Sequence, residues 1–155
     1  MPIHPLPPRT QAVVPYLVMA DCAKAIAFYK KVFAAEEIMR MPGPDGKSIM
    51  HAEINIAGCM IYMADEHPDC GQQSPTKLGT TTVGLTLYCL DANKVFERAV
   101  KAGAKSSRPM QDMFWGDRMG TVIDPFGHHW TLMQRVEELT PKQVMERSKL
   151  AMANA

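Results

Sequence analysis

Two stretches of the chain share one order of apolar and polar positions. Near Val14 and again near Val83, a short apolar run leads to an Asp, and apolar residues then return every three or four positions. A short apolar run is typical of a buried strand, and the wider spacing is typical of an amphipathic helix. Asp21 and Asp91, which stand 70 residues apart, fit the N-cap of that helix because a carboxylate can accept a hydrogen bond from its first turn. Each stretch therefore predicts a strand followed by a helix.

The same two halves share a second pattern further along. Residues 51–65, HAEINIAGCMIYMAD, and residues 120–134, GTVIDPFGHHWTLMQ, alternate apolar and polar positions on both sides of a glycine, Gly58 or Gly127. Such alternation predicts two strands, and glycine supplies the positive φ of a tight turn between them. With one more strand after each helix, both halves are predicted as β-α-β-β-β units. The chain is therefore expected to be an α+β protein built by duplication.

The segments outside the repeated pattern define the expected domain organisation. Four prolines in the first eight residues predict a stiff extended arm, and Thr140 followed by Pro141 predicts the start of a final helix. The polar segment after the first half carries Pro and Gly, which predicts a linker. We expect a Pro-rich arm at 1–11, a single domain at 12–138 with module one at 12–65, a linker at 66–80 and module two at 81–138, and a helical tail at 139–155.

Composition narrows the classes of partner. Lys and Arg number 17 and Asp and Glu 16, for a formal net charge of +1, which gives no reason to expect nucleic acid or an anionic membrane. No apolar run approaches the length of a transmembrane helix, and the N-terminal residues lack the apolar stretch of a signal peptide. The four cysteines are scattered with no CxxC pair, which favours reduced thiols. These features favour a cytoplasmic protein with no nucleic-acid or membrane partner.

Several short motifs accompany the duplicated unit: PYLVMAD, FYKKVFAAEE, MPGPDGK, MHAEI, FWGDR and DPFGHHW. Together they resemble the vicinal oxygen chelate superfamily, which includes glyoxalases, extradiol dioxygenases and bleomycin resistance proteins, and most of all its PhnB-like branch. The resemblance implies that the two βαβββ modules form a half-open eight-stranded barrel with a cavity for a small-molecule ligand. It also implies a homodimer, since members often complete their cavities across subunits.

Strand alternation assigns side chains to the cavity face that this resemblance implies. His51 and Glu53 share a face of one strand, and His129 is placed on the cavity face of the last strand, with His128 at the hairpin tip or on the helix side. We expect Glu53, His51 and His129 to be the catalytic residues. The expected ligand-binding residues are Tyr16, Tyr62, Thr86, Tyr88, Trp115, Arg118 and Thr131.

The segment MFWGDRMG leaves two interpretations open. Trp115 could stack on a ligand, and Arg118 could bind a carboxylate or phosphate through two hydrogen bonds. Alternatively, Trp115 fills the barrel and Arg118 pairs with Asp117 or Glu53.

Metal-dependent members of the superfamily use four ligands, His, Gln or Glu, one from each of four strands. The resemblance places those positions at Val14, Glu53, Thr86 and Thr131, of which only Glu53 is a strong ligand. Tight divalent sites take three or more protein ligands. We therefore expect no metal site and no cofactor, with at most a weakly held divalent metal. A set of His51, Glu53 and His129 is the alternative.

Three functions are compatible with these features. The first is a glyoxalase-like lyase or isomerase of a small polar metabolite, with Glu53 as general base and His51 or His129 as its proton partner. The second is a protein of the bleomycin-resistance type that binds a drug or antibiotic without turnover. The third is a module with a vestigial cavity, which the retained Glu, His and Arg side chains count against. The sequence does not decide whether the chain is an enzyme or a binding protein.

Overall fold

The computed structural model describes residues 3–154. These residues form two compact units, of which the first ends at Thr81 and the second begins at Thr82. Met1 and Pro2 of the predicted arm and Ala155 of the predicted tail lie outside the described residues. Within the described part of the chain, no helix is both long and apolar enough to cross a membrane.

The first unit contains one four-stranded sheet and one long helix. Its elements in chain order are β1 (Tyr16–Met19), α1 (Cys22–Phe33), β2 (Glu36–Pro42), β3 (Ile49–Ile56) and β4 (Cys59–Asp65). The strands lie in the order β1-β4-β3-β2, with β1 parallel to β4 and the other pairs antiparallel. A short 3-10 helix (Pro68–Cys70) and α2 (Pro75–Leu78) follow within the predicted linker.

The second unit repeats this arrangement. Its elements are β5 (Gly84–Tyr88), α3 (Ala92–Lys101), β6 (Lys105–Asp112), β7 (Asp117–Ile123), β8 (His129–Arg135) and the additional helix α4 (Pro141–Ala153). The sheet order is β5-β8-β7-β6, again with one parallel pair, β5 and β8. The predicted α+β class and the repeated βαβββ order are confirmed. The closure of the eight strands into one barrel and the module boundaries stay predictions.

The helix starts follow the capping chemistry that the sequence predicts. The Asp21 side chain accepts a hydrogen bond from the Lys24 amide at 3.0 Å, and the Asp91 side chain accepts one from Lys94 at 3.1 Å. Helix α4 begins with a complete capping box at Thr140. These bonds satisfy amides that the first turn of a helix leaves without an intrahelical partner, so each start is fixed locally.

The hydrophobic core of each unit lies between its helix and one face of its sheet. In the first unit, Ile26 and Tyr29 of α1 and Ile54 of β3 have no exposed surface. In the second unit, Val122 and Leu132 are equally buried. Because side chains alternate along a strand, the residues next to these core positions belong to the opposite face of each sheet. Those opposite faces carry most of the candidate site residues.

Candidate functional site

The strand register of the first unit brings the predicted site residues into one cross-strand row. Glu53 of β3 pairs with Tyr62 of β4, and Tyr62 pairs with Tyr16 of β1. Residues that pair directly across a sheet project from the same face. His51 lies two positions before Glu53 and so shares that face, which is opposite to the buried Ile54. We call Tyr16, His51, Glu53 and Tyr62 the polar face of the first unit.

A chain of hydrogen bonds links three side chains of the polar face. The Tyr16 hydroxyl lies 3.2 Å from Nδ1 of His51, and Nε2 of His51 lies 3.3 Å from Oε1 of Glu53. An ionised carboxylate only accepts, so Nε2 of His51 carries the proton in this contact. In the neutral imidazole Nδ1 then accepts from the Tyr16 hydroxyl. Glu53 therefore sets the tautomer and the orientation of His51, as the carboxylate does in Ser-His-Asp triads.

Three aromatic rings pack together on the same face. The His51 and Tyr62 rings meet edge to face with centroids 5.0 Å apart, and Tyr16 lies 5.8 Å from His51 and 6.3 Å from Tyr62. Such inclined contacts are the favoured arrangement of aromatic rings. They restrict the His51 ring, and they leave part of the Tyr16 ring open, since Tyr16 is 44% exposed.

Burial controls the titration of two neighbouring groups. Burial, and to a smaller extent the nearby Cys22, raises the pKa of the Tyr16 hydroxyl above its usual value. Burial and then the negative charge of Asp65 raise the pKa of the Cys22 thiol to about 12. The Tyr16 hydroxyl thus stays a hydrogen-bond donor at neutral pH. Cys22 stays a thiol, which is a weak nucleophile.

The equivalent row of the second unit consists of hydroxyl groups. Thr86 of β5 pairs with Thr131 of β8, and Thr131 pairs with Thr121 of β7. The Thr121 and Thr131 hydroxyls lie 3.1 Å apart. His129 begins β8 two positions before Thr131 and therefore lies on the same face. The three threonine hydroxyls offer hydrogen bonds to a ligand but no acid or base.

Tyr88 and Asp117 form a tyrosine–carboxylate pair on this face of the second unit. Tyr88 was expected to bind a ligand, whereas the sequence did not single out Asp117 as a site residue. The Tyr88 hydroxyl donates a hydrogen bond to Oδ2 of Asp117 at 3.3 Å, and Asp117 is only 9% exposed. Burial and then the charge of Asp117 raise the pKa of Tyr88. Counting back by twos from Thr121 along β7 reaches Asp117, so alternation was the signal that could have found it.

Arg118 lies on the other face of the second sheet. It alternates with Asp117 along β7 and shares the side of the buried Val122. Its guanidinium holds Asp112 through two hydrogen bonds of 2.6 and 3.1 Å, and this pairing lowers the pKa of Asp112. Neither predicted partner, Asp117 or Glu53, is the one observed. The structure therefore does not bring Arg118 together with Thr131 as a ligand-binding residue.

Trp115 belongs to the tight turn between β6 and β7. Its ring packs edge to face on Phe114, with centroids 4.9 Å apart, and both residues are partly exposed. This contact fits packing within the turn and leaves the stacking of Trp115 on a ligand as a prediction.

The motif DPFGHHW builds the hairpin between β7 and β8. The buried Asp124 accepts hydrogen bonds from the amides of Phe126 and His128 and from Nε1 of Trp130, at 3.0, 2.9 and 3.0 Å. His128 is buried with them, and Gly127 has the positive φ, 86°, that the turn requires. The motif is therefore a structural signature, and of its two histidines only His129 lies on the candidate ligand face.

The donor set does not fit a resident divalent ion. Tyr62 of β4 pairs with a residue of β1 in the first unit, just as Thr131 of β8 pairs with a residue of β5 in the second unit. Tyr62, and not Glu53, is therefore the counterpart of Thr131. Tyrosine and threonine stand at these positions, where metal-dependent members of the superfamily place His, Gln or Glu. Within residues 3–154, no three His, Cys, Asp or Glu side chains are grouped so that they could hold a metal ion. Glu53 and His51 supply only two such groups.

Comparison with known proteins places this geometry in a family. The family model for the Glyoxalase/Bleomycin resistance protein/Dioxygenase superfamily matches residues 11–132. The Mycobacterium tuberculosis protein Rv0887c is 46% identical over 136 residues, which cover 86% of this chain and 79% of that protein. The crystal structure of TioX from Micromonospora sp. ML1 matches with a TM-score of 0.62 and 26% identity, over 84% of this chain and all of TioX (100%). A PhnB protein from Bacillus cereus shares the fold, with a TM-score of 0.62 and 17% identity over 80% of this chain and 99% of that one.

Proposed function

Because the chain belongs to the glyoxalase/bleomycin resistance protein/dioxygenase superfamily, we propose that it binds a small polar molecule at the polar face of its first unit and moves a proton on it, as an isomerase or lyase does. The observation that carries the proposal is the continuous Tyr16–His51–Glu53 chain, with contacts of 3.2 and 3.3 Å. A histidine held between a carboxylate and a hydroxyl is the usual arrangement for general acid–base catalysis.

The geometry favours His51 over Glu53 as the group that takes the proton. Glu53 accepts from Nε2 of His51, so its charge is placed to stabilise the imidazolium that forms when Nδ1 gains a proton. The Tyr16 hydroxyl passes its proton to Nδ1 and takes one from the ligand in the same step. One bond to hydrogen breaks in the ligand and one forms at His51, so the proton count balances. Return of the proton to another carbon or oxygen of the ligand completes an isomerisation. In an elimination, the bond to a leaving group breaks as the C–H electron pair forms the double bond, and the departing group takes the proton from His51.

Tyr62, Thr86, Thr131 and His129 are proposed to contact the ligand. Tyr62 contributes its ring next to His51 on the polar face of the first unit, and the other three would contact a ligand at the sheet face of the second unit that carries Thr131. No proton-transfer step is assigned to a metal ion, because the donor set does not fit one.

The test is solvent deuterium incorporation, followed by NMR, in a panel of small hydroxy, keto and amino compounds. Replacing His51 with Gln is expected to lower the rate by ~10²–10⁴-fold, the usual contribution of a general acid or base. His4→Gln is the matched control, since His4 lies in the exposed arm and its hydrogen bonds among residues 3–154 are with Leu6. Incorporation that is equally fast in H51Q contradicts the proposal, and a loss confined to His129→Gln would move the chemistry to the second unit.

A second candidate is a protein that binds a drug or other small molecule without turnover. It is favoured by the row of Thr86, Thr121 and Thr131, which offers hydrogen bonds and no titrating group. A ligand that binds with saturation and is recovered with no deuterium incorporated would favour this candidate.

A further inference from the structure

The carboxylate of Glu53 is incompletely paired. Its side chain is 23% exposed, and its contact within residues 3–154 is the single one with His51, at 3.3 Å. An ionised carboxylate offers about four acceptor sites, so most of its capacity is unused. A partly buried negative charge is costly unless a cation or several donors face it. The polar face therefore lacks a positive partner for Glu53.

The basic side chains of this sheet are held on its other face. Arg40 pairs across the sheet with the buried Ala52, so it projects toward α1. There Glu37 accepts from Arg40 at 2.7 Å and lies 3.4 Å from Nζ of Lys30. Along the four strands of the first unit, all within the described residues, no Lys or Arg occupies a position on the polar face. The arm residue Arg9 meets Glu36, which pairs with Asn55 on this face, and among residues 3–154 Glu53 itself has no ion pair with a Lys or Arg.

The surroundings of Glu53 are aromatic and apolar. The Tyr62 and Tyr16 rings lie on the β4 and β1 side of Glu53, next to the His51 ring of β3, with tilts of 43 to 83° between the ring planes. On the β2 side, Met39 pairs with Glu53 and Met41 pairs with His51. These two methionines are 39% and 46% exposed, respectively. Tyrosine ring faces attract a cation, and thioethers pack well against methyl groups.

We propose that the ligand of the polar face carries a methylated ammonium group. Glu53 supplies a negative charge, the tyrosine rings supply their electron-rich faces, and the methionines cover the methyl groups. An anionic ligand is disfavoured because the strands place no cation on this face to receive it. This inference rests on the proposed function, because it names the chemical class of the ligand that binds at the same site.

The test compares choline with 3,3-dimethyl-1-butanol, which has the same shape with an uncharged carbon in place of the nitrogen. The full chain is titrated with each while the NMR signals of Tyr16, His51 and Tyr62 are followed. We expect choline to shift these signals with at least ~10-fold higher affinity, the size of a partly desolvated cation–π contact together with a charge pair. Equal affinities, or no saturable shift by choline, would overturn the proposal.

Matched variants assign the preference to Glu53. Glu53→Gln keeps the size of the side chain and is expected to abolish the preference for choline, and Tyr62→Leu to reduce it several-fold. Glu37→Gln makes the same chemical change on the other face of the sheet and is expected to leave the preference intact. Retention of the preference in E53Q, or its loss in E37Q, contradicts the assignment.

The experiment separates this inference from the proposed function. His51→Gln removes the proton acceptor but keeps the charge of Glu53. A choline preference without any His51-dependent deuterium incorporation supports the ligand class and contradicts only the proton transfer. Incorporation that depends on His51, together with indifference to choline, supports only the proton transfer.

Discussion

Asp65 connects the N-terminus of α1 to the start of β3. Its Oδ1 accepts a hydrogen bond from the Cys22 amide at 2.6 Å, and its Oδ2 accepts one from the Ile49 amide at 2.7 Å. In the second unit, Gln134 makes the equivalent bond to the Ala92 amide at 3.1 Å. Strand β4 in the first unit and strand β8 in the second unit therefore each anchor the helix that covers the core of that unit.

Replacing Asp65 with Ala should lower the free energy of unfolding by ~3 kcal/mol, because two partly buried amides lose a charged acceptor. Gln134→Ala removes a single bond to a neutral acceptor and should cost about 1 kcal/mol. Urea unfolding measures both, as shifts of the midpoint with an unchanged slope. Equal effects of the two variants would contradict the anchoring role of Asp65.

Asp124 should be the most sensitive residue of the second hairpin. Replacing it with Ala leaves two amides and the Trp130 indole N–H without their acceptor in a buried site, so a loss of at least ~3 kcal/mol is expected. Asp112→Ala is the control, since its pair with Arg118 is largely exposed and a surface ion pair contributes little to stability. Trp fluorescence during urea unfolding reports both, and a stability of D124A near that of D112A would refute the structural role.

Acid should weaken the segment after β4 through Glu66. The hydroxyl and the amide of Ser74 donate to Glu66 and lower its pKa. The unfolded chain therefore binds a proton at higher pH than the folded chain, so this contribution is present above the unfolded pKa and is lost as pH falls through the folded one. Glu66→Gln should flatten the fall in urea midpoint between neutral pH and about pH 3. A fall in the urea midpoint that is as steep in E66Q as in the unmodified chain would contradict this role of Glu66.

The elements of the fold could be predicted because each is fixed by nearby residues. Asp21 and Asp91 cap their helices within three residues, and Gly58 and Gly127 close their hairpins locally. The shared face of His51 and Glu53 likewise follows from their spacing on one strand. These features need no knowledge of distant parts of the chain.

The face of Arg118 could not be read in the same way. The predicted hairpin strand begins at Gly120, whereas β7 begins at Asp117 and includes Arg118. A shift of one residue exchanges the two faces of a strand, and the face is set by pairing with β6 and β8, which lie elsewhere in the chain. That nonlocal pairing placed Asp117 on the ligand side and Arg118 toward the helix.

We expect a homodimer in solution. Helix α4 has no buried residue, and Met145, Leu150 and Met152 on it are each at least 60% exposed. A helix of 13 residues is marginal in water without packing. Light scattering should give twice the chain mass of 17.2 kDa, and Leu150→Glu should shift the mass toward the monomer. A monomer of the unmodified chain at micromolar concentration would contradict this expectation.

The tautomer of His51 decides whether this residue can accept a proton from Tyr16, because the transfer requires Glu53 to hold Nε2–H and leave Nδ1 as acceptor. Long-range nitrogen–proton NMR of the full chain distinguishes the two tautomers of the neutral ring. We expect the Nε2–H form in the unmodified chain and in Glu37→Gln, and a mixture of the two tautomers in Glu53→Gln. An Nδ1–H form, or a tautomer that Glu53→Gln does not change, would contradict this expectation.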